Sequence, residues 1–249
     1  MARIEIIAHR GASFDAPENT LAALRLGWAE GADAAEFDVW LTRDGQVVVH
    51  HDETTRRTAG VDRPVAEQSL AELRTLDVGR WKGPAFAGER IPTVAEALAI
   101  VPAGKRVFIE VKTGPEAITE LGRVIAGSGL APDQTVLISF STPVVAAAKR
   151  ELPDRPAYWI ADLHPDDASR PPTVEELIAV AQSCRADGLD LSAHPAITPE
   201  FVRTANAAGF PVYVWTVNDP ALARQMMDAG VAGIATDRPG WLRAQQLRL

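Results

Sequence analysis

The tightest constraint on this 249-residue chain is an alternation of two patterns. Short runs rich in Val, Ile and Leu recur at residues 4–8, 34–39, 107–111, 135–140, 158–161, 189–191, 212–217 and 233–236. They are nearly continuous in apolar residues, the pattern of a strand covered on both faces by helices. The intervening segments carry helix-start signals. Ser69-x-x-Glu72, Thr93-x-x-Glu96 and Thr173-x-x-Glu176 are capping boxes, in which hydroxyl and carboxylate each satisfy an orphan backbone N–H. Thr142-Pro143, Thr198-Pro199 and Asp219-Pro220 place a cap residue before a proline at the first helical position. Gly31, Gly209 and Gly230 stand where left-handed helix ends are expected. Eight strands alternating with helices predict an α/β fold, a (β/α)₈ TIM barrel, with an open doubly wound sheet as the alternative.

One run breaks the alternation. Residues 46–51 are strand-like, but only Leu41-Thr42-Arg43-Asp44-Gly45 separate them from the second strand. A parallel crossover needs about a dozen residues, so this strand must return antiparallel through an Asp44-Gly45 turn. Residues from about 53 to 92 then form an insertion, broken by Gly79, Gly83, Pro84 and Gly88 and carrying one short helix near 69–76. Such an excursion is expected over the barrel mouth or beside it, within a single domain spanning residues 1–249.

Composition narrows the functional classes. The 25 Lys and Arg against 33 Asp and Glu leave a net charge of −8, which argues against nucleic acid or an anionic membrane as partner. No apolar stretch is long enough to span a bilayer, and the N-terminal run is too short for a signal peptide, so a cytoplasmic protein without stable membrane association is expected. Cys184 is the single cysteine, which excludes an intrachain disulfide and reads as a small apolar helix residue. Nothing in the sequence signals an oligomeric state.

In a βα barrel the site lies at the C-terminal ends of the strands. Strand 1 ends in His9-Arg10-Gly11, the second strand carries Glu36 and Asp38, and the strand at 107–111 leads into Glu110 and Lys112. Residues two apart share a strand face, so each of the last two pairs points one way. Three like charges in an apolar wall repel unless a cation sits among them, and an all-oxygen set suits Mg²⁺ or Ca²⁺ rather than Zn²⁺. The spacing alone is also compatible with structural ion pairs around Lys112. His9 and His51 offer two imidazoles for general acid–base work, whereas His50 points to the opposite face and reads as structural. His164 and His194 have no supporting neighbours in the sequence, and the loop at 162–169 reads as mobile.

These residues, together with Pro17-Glu18-Asn19-Thr20, Thr42-x-Asp44-Gly45, Arg57-Thr58, Ser139-Phe140 and Thr236-Asp237-Arg238-Pro239, resemble the glycerophosphodiester phosphodiesterases over nearly the whole chain. Each motif is weak alone; together, in register, they are specific. The resemblance implies a hydrolase in which Glu36, Asp38 and Glu110 bind one divalent metal, Mg²⁺ or Ca²⁺, and His9 and His51 are the catalytic acid/base pair. It places Arg10 and Lys112 on the phosphate and Trp215 near the glycerol moiety of a small glycerophosphodiester, with sn-glycerol 3-phosphate and an alcohol as products. Glu18 is expected to orient the first-strand loop, Asn19 or Thr20 to cap the following helix, and Arg57 to fix the insertion. Asp237 and Asn218 sit at strand ends near the mouth without an assigned role. Two other functions fit the same scaffold: lysophospholipase D-like hydrolysis of an acylated diester, aided by Trp81 and Phe86, and a non-catalytic metal- or phosphate-binding barrel.

Overall fold

In the computed structural model, which describes residues 4–163 and 170–246, the apolar runs form nine strands. They are β1 (Glu5–Ala8), β2 (Ala34–Leu41), β3 (Val47–Val49), β4 (Arg106–Val111), β5 (Thr135–Ser139), β6 (Ala157–Ala161), β7 (Gly188–Ser192), β8 (Val212–Trp215) and β9 (Gly233–Thr236). Eight run parallel in the order β1-β2-β4-β5-β6-β7-β8-β9, and β9 pairs with β1 to close the barrel. The closed barrel, not the open sheet, is therefore the architecture. β3 lies outside it, antiparallel to β2 with Val39 opposite Val49, as the five-residue connection requires. His164 and the rest of the loop at 164–169 lie outside the described residues.

The helices are α1 (Leu21–Ala29), α2 (Arg56–Ala59), α3 (Leu70–Leu73), α4 (Val94–Ala99), α5 (Ala117–Ala126), α6 (Thr142–Glu151), α7 (Val174–Ser183), α8 (Pro199–Ala207), α9 (Pro220–Ala229) and α10 (Pro239–Gln246). All three capping boxes form, at the starts of α3, α4 and α7. Thr198 and Asp219 cap α8 and α9 as their prolines suggest. At α6 the cap falls one residue earlier, on Ser141, because the Ser139 hydroxyl accepts the Ser141 N–H at 3.2 Å and starts the turn sooner. Thr20, not Asn19, caps α1 by accepting from Ala23 N–H at 3.2 Å.

The barrel interior is filled from the floor upward. Tyr158 and Tyr213 pack around Phe108, and Gly188 and Gly233 leave room for them: a Cβ on Gly233 would stand 2.6 Å from the Tyr213 ring. At the N-terminal end the Arg106 guanidinium donates to Glu5 at 2.7 Å and the Tyr213 hydroxyl to the same oxygen at 3.1 Å. The floor is thus both packed and charge-neutral, and polar groups without such closure are left to the opposite end.

The insertion has its own small core, in which Val65, Leu73, Val78 and Ile91 pack on Val48 of β3. It reaches the mouth of the barrel, where Lys82 Nζ donates to the Ser13 carbonyl at 2.6 Å. Beneath that contact the β1–α1 loop turns through Arg10 and Gly11, at φ of 54° and 81°. Glycine is required at position 11 on two counts, since a Cβ there would also lie 2.4 Å from the Ala23 backbone carbon. Gly11→Ala is expected to lower stability by roughly 2–4 kcal/mol through strain and overpacking; a denaturant melt within about 0.5 kcal/mol of wild type would contradict this expectation.

Candidate active site

β2 and β4 carry their polar residues inward at the mouth. Register pairs Asp38 with Glu110, and period two places Glu36 on the same face as Asp38. Glu36, Asp38 and Glu110 are all buried, at 4%, 0% and 8% exposure, and each offers an oxygen within 4.8 Å of the others. Two cations answer them. Lys112 Nζ lies 2.6 Å from Glu110 and 3.1 Å from Asp38, and Arg10 Nε lies 3.2 Å from Asp38 Oδ2. The Arg10 backbone N–H also donates to Glu36 Oε2 at 2.8 Å, an approach made by the left-handed turn at that residue.

Three carboxylates against two cations leave one formal negative charge in a desolvated place, and the ionisation equilibria record it. Burial pushes the Glu36 carboxyl well above its usual range, with Asp38 and Glu110 adding repulsion. Burial and Asp38 likewise raise Glu110, to about 7, against the pull of Lys112. Burial would raise Asp38 too, but Lys112, Arg10 and His51 outweigh it and hold that carboxyl far below the usual range. The same carboxylates raise Arg10 and Lys112 above their ordinary values despite burial.

This donor set fits a hard divalent cation. Glu36 Oε1 is buried and accepts no hydrogen bond, and Asp38 Oδ1 has only the ion-pair contact to Lys112. A buried carboxylate oxygen without a donor is costly, and a cation coordinated by oxygen relieves that cost.

His9 and His51 line the same pocket, whose volume is about 170 Å³, together with Arg10, Lys112 and Trp215. Each imidazole is held by its own carboxylate: His9 Nδ1 donates to Asp237 at 2.7 Å, and His51 Nδ1 to Asp52 at 2.7 Å. These contacts fix the tautomer and leave Nε2 of each ring as the nitrogen available for proton transfer. Both anchors are held in turn. Asp237 accepts from Ser13 at 2.9 Å and from Asn218 at 2.6 Å, and its own carboxyl is held down at about 2 despite burial, by His9 and these donors. Asp52 accepts from Arg57, whose guanidinium also forks onto both oxygens of Glu18 at 2.7 and 2.8 Å.

All eight residues singled out from the sequence therefore meet at one mouth, and several unassigned ones join them. Asn19, at φ 58°, does not cap α1; its amide donates to Asp38 at 2.8 Å and its carbonyl accepts the Asp38 N–H at 3.1 Å. Asp52 follows His51 in the sequence, and Asp237 lies at a strand end within the Thr236–Pro239 motif, but nothing in the sequence signals that either carboxylate holds a histidine. His50 is buried and bonds the Thr54 carbonyl, away from the pocket. His194 accepts from the Ala196 N–H in a turn beyond β7.

The glycerophosphoryl diester phosphodiesterase family matches residues 9–241, all but the chain's two ends. The chain belongs to this family. It is 34% identical over 244 residues to a glycerophosphodiester phosphodiesterase of Caldanaerobacter subterraneus subsp. tengcongensis, covering 94% of each chain. Among solved structures it is similar to an Oleispira antarctica phosphodiesterase in complex with the product sn-glycerol-3-phosphate, with a TM-score of 0.87, 29% identity and coverage of 97% and 96%. It is also similar to a glycerophosphodiester phosphodiesterase from Agrobacterium tumefaciens, with a TM-score of 0.82, 28% identity and coverage of 97% and 100%. No helix among the described residues is long and apolar enough to cross a membrane.

The raised carboxyls make stability depend on pH. A group whose folded pKa exceeds its unfolded value stabilises the fold below the unfolded pKa and loses that contribution as pH rises through the folded one. With Glu36 high and Glu110 near 7, protein kept in chelator should show a melting temperature that falls as pH rises from about 5 to about 8. Glu110→Gln should flatten the portion centred near 7; a flat wild-type profile would refute the charge assignment.

Proposed function

We propose that this chain hydrolyses glycerophosphodiesters to sn-glycerol 3-phosphate and an alcohol, with His9 and His51 as general acid and base and one divalent cation, Mg²⁺ or Ca²⁺, held by Glu36, Asp38 and Glu110. The observation that carries the reading is the pair of carboxylate-held imidazoles flanking a buried carboxylate set and two cations in one small pocket. When bound, the cation supplies Lewis acidity toward the phosphoryl oxygens. The rest is done by the chain. Arg10 and Lys112 place positive charge beside the phosphate and offset charge developing in the transition state. One imidazole Nε2 takes the proton of the attacking oxygen, water or the neighbouring glycerol hydroxyl, and the other gives a proton to the departing alcohol oxygen; attack by the hydroxyl gives a cyclic phosphate that water then opens to sn-glycerol 3-phosphate. Asp237 and Asp52 hold the rings in the required tautomer throughout. Trp215 lines the pocket wall, edge-on to Phe140 with ring centroids 5.7 Å apart, and offers the glycerol carbons an apolar face.

Pocket size favours a compact polar substrate over an acylated one. About 170 Å³ is below the roughly 300 Å³ at which sites for drug-sized ligands begin, so an acyl chain would have to lie outside, over exposed Phe14 and Trp81. The barrel and insertion act as one catalytic domain in this reading, because Arg57 and Lys82 tie the insertion to the site.

The test is release of glycerol 3-phosphate from glycerophosphocholine. Chelator should abolish it, and Mg²⁺ or Ca²⁺ should restore it. His9→Ala and His51→Ala should each lower kcat by at least about 10², with melting temperature nearly unchanged. Asp52→Asn and Asp237→Asn should lower kcat/KM on the order of 10 to 10². Near-normal turnover by a folded His51→Ala variant would sink the acid–base assignment.

A further inference from the structure

β7 carries an ionisable residue that the proposed reaction does not use. Asp190 is the centre of Gly188–Ser192, flanked by Leu189 and Leu191, and is 6% exposed. It pairs with Ile160 of β6 and Tyr213 of β8, both members of the interior cluster, so its side chain faces into the barrel. The carboxyl lines the pocket that also holds His9, Glu110 and Trp215. No described side chain or backbone group bonds it; the one charge it feels is the like charge of Glu110.

Its position is as informative as its isolation. In the closed strand order β7 lies four steps from β2 in either direction, so Asp190 faces the carboxylate strand from across the mouth. The wall on its side is apolar, with Ile138 and Ile160, and Trp215 Nε1 donates to the Asp190 carbonyl at 3.3 Å. With the phosphate at Arg10 and Lys112, as in the reading above, this wall is the surface that a substituent of the diester would meet across the pocket.

We propose that Asp190 is a specificity-determining residue: its carboxyl hydrogen-bonds a hydroxyl of the glycerol moiety and so selects a three-carbon diol over an alkyl chain. The assignment rests on the glycerophosphodiester reading above. Burial, with Glu110 second, lifts the carboxyl to about 8, so near neutral pH it is an acid with one donor and an acceptor, matched to a hydroxyl and uncharged beside Glu110. A buried polar group built to pair with a hydroxyl rejects the analogue lacking it, because the group is then left unpaired.

The proposal is tested by calorimetric binding of sn-glycerol 3-phosphate and of n-propyl phosphate, which differ by two hydroxyls, with the divalent cation present. Wild type should bind the glycerol ester about tenfold more tightly or better. Asp190→Val should reduce that ratio to within about twofold without weakening propyl phosphate binding, and Asp190→Asn, which keeps a donor and an acceptor, should retain most of it. If the valine variant does not fold, Asp190→Ala reads the same ratio. An unchanged ratio in the apolar variant overturns the proposal, as does an equal loss for both ligands. Turnover of glycerophosphocholine by wild type is read separately: discrimination in binding without turnover would overturn the reaction and leave the role of Asp190 standing.

Discussion

Three carboxylates buried together at one end of the barrel are the constraint around which the rest of the mouth is arranged. Their mutual repulsion and desolvation would be prohibitive in isolation. The fold answers by bringing Lys112 up from β4, turning the β1–α1 loop through a left-handed Arg10, and pointing Asn19 at Asp38. Even so the balance is incomplete, because Glu36 Oε1 is left without a donor. An incomplete balance of this kind sets a cluster able to hold a cation apart from a structural ion-pair network, in which the members satisfy one another.

The opposite end of the barrel supplies that contrast within the same molecule. Glu5, Arg106 and Tyr213 are also ionisable, close together and largely shielded from solvent, yet their hydrogen bonds close on themselves. The tyrosine rings and Phe108 then fill the space above them. Both ends use charged side chains on inward strand positions; only the C-terminal end leaves oxygens and imidazole nitrogens facing open volume. The asymmetry follows from strand direction, since the loops leaving the strands at the mouth bring in Arg10, Asp52, Arg57 and Asp237 to surround what the strands present.

How much of this is legible in the sequence depends on the range of the interaction. The eight strands, the antiparallel β3 and three capping boxes are local patterns, set by periodicity and by side chains three residues apart, and each is found where the sequence puts it. Glu36, Asp38, Glu110 and Lys112 are legible because charges at period two inside apolar strands are too costly to bury without a task. Partner choice is not legible. Asp237 reaches His9 across 228 residues, and Arg57 reaches Glu18 across 39, so neither pairing leaves a trace until the barrel closes. Asn19 is ambiguous for a related reason: Asn and Thr cap helices with similar chemistry, and only the tertiary position of Asp38 decides which of two adjacent residues turns away. Asp190 is the reverse case. Its signal, a lone carboxylate between two leucines on a short strand, is local and visible, but its meaning needs the pocket.

The insertion gains a purpose from the same long-range contacts. Arg57, on the short helix α2, grips Asp52 with one part of its guanidinium and Glu18 with another; Asp52 holds His51, and Glu18 accepts from Arg10 at 3.0 Å. A single side chain of the insertion thereby couples the orientation of an imidazole to that of the arginine beside the carboxylates. Burial lowers the His51 pKa, and Arg10 and Lys112 reinforce that against the pull of Asp38 and Asp52, so the ring is disposed to be neutral. An excursion of about 40 residues with its own small core is then a rigid bracket. It fixes, from outside the barrel, the position of the His51 imidazole relative to the Arg10 guanidinium.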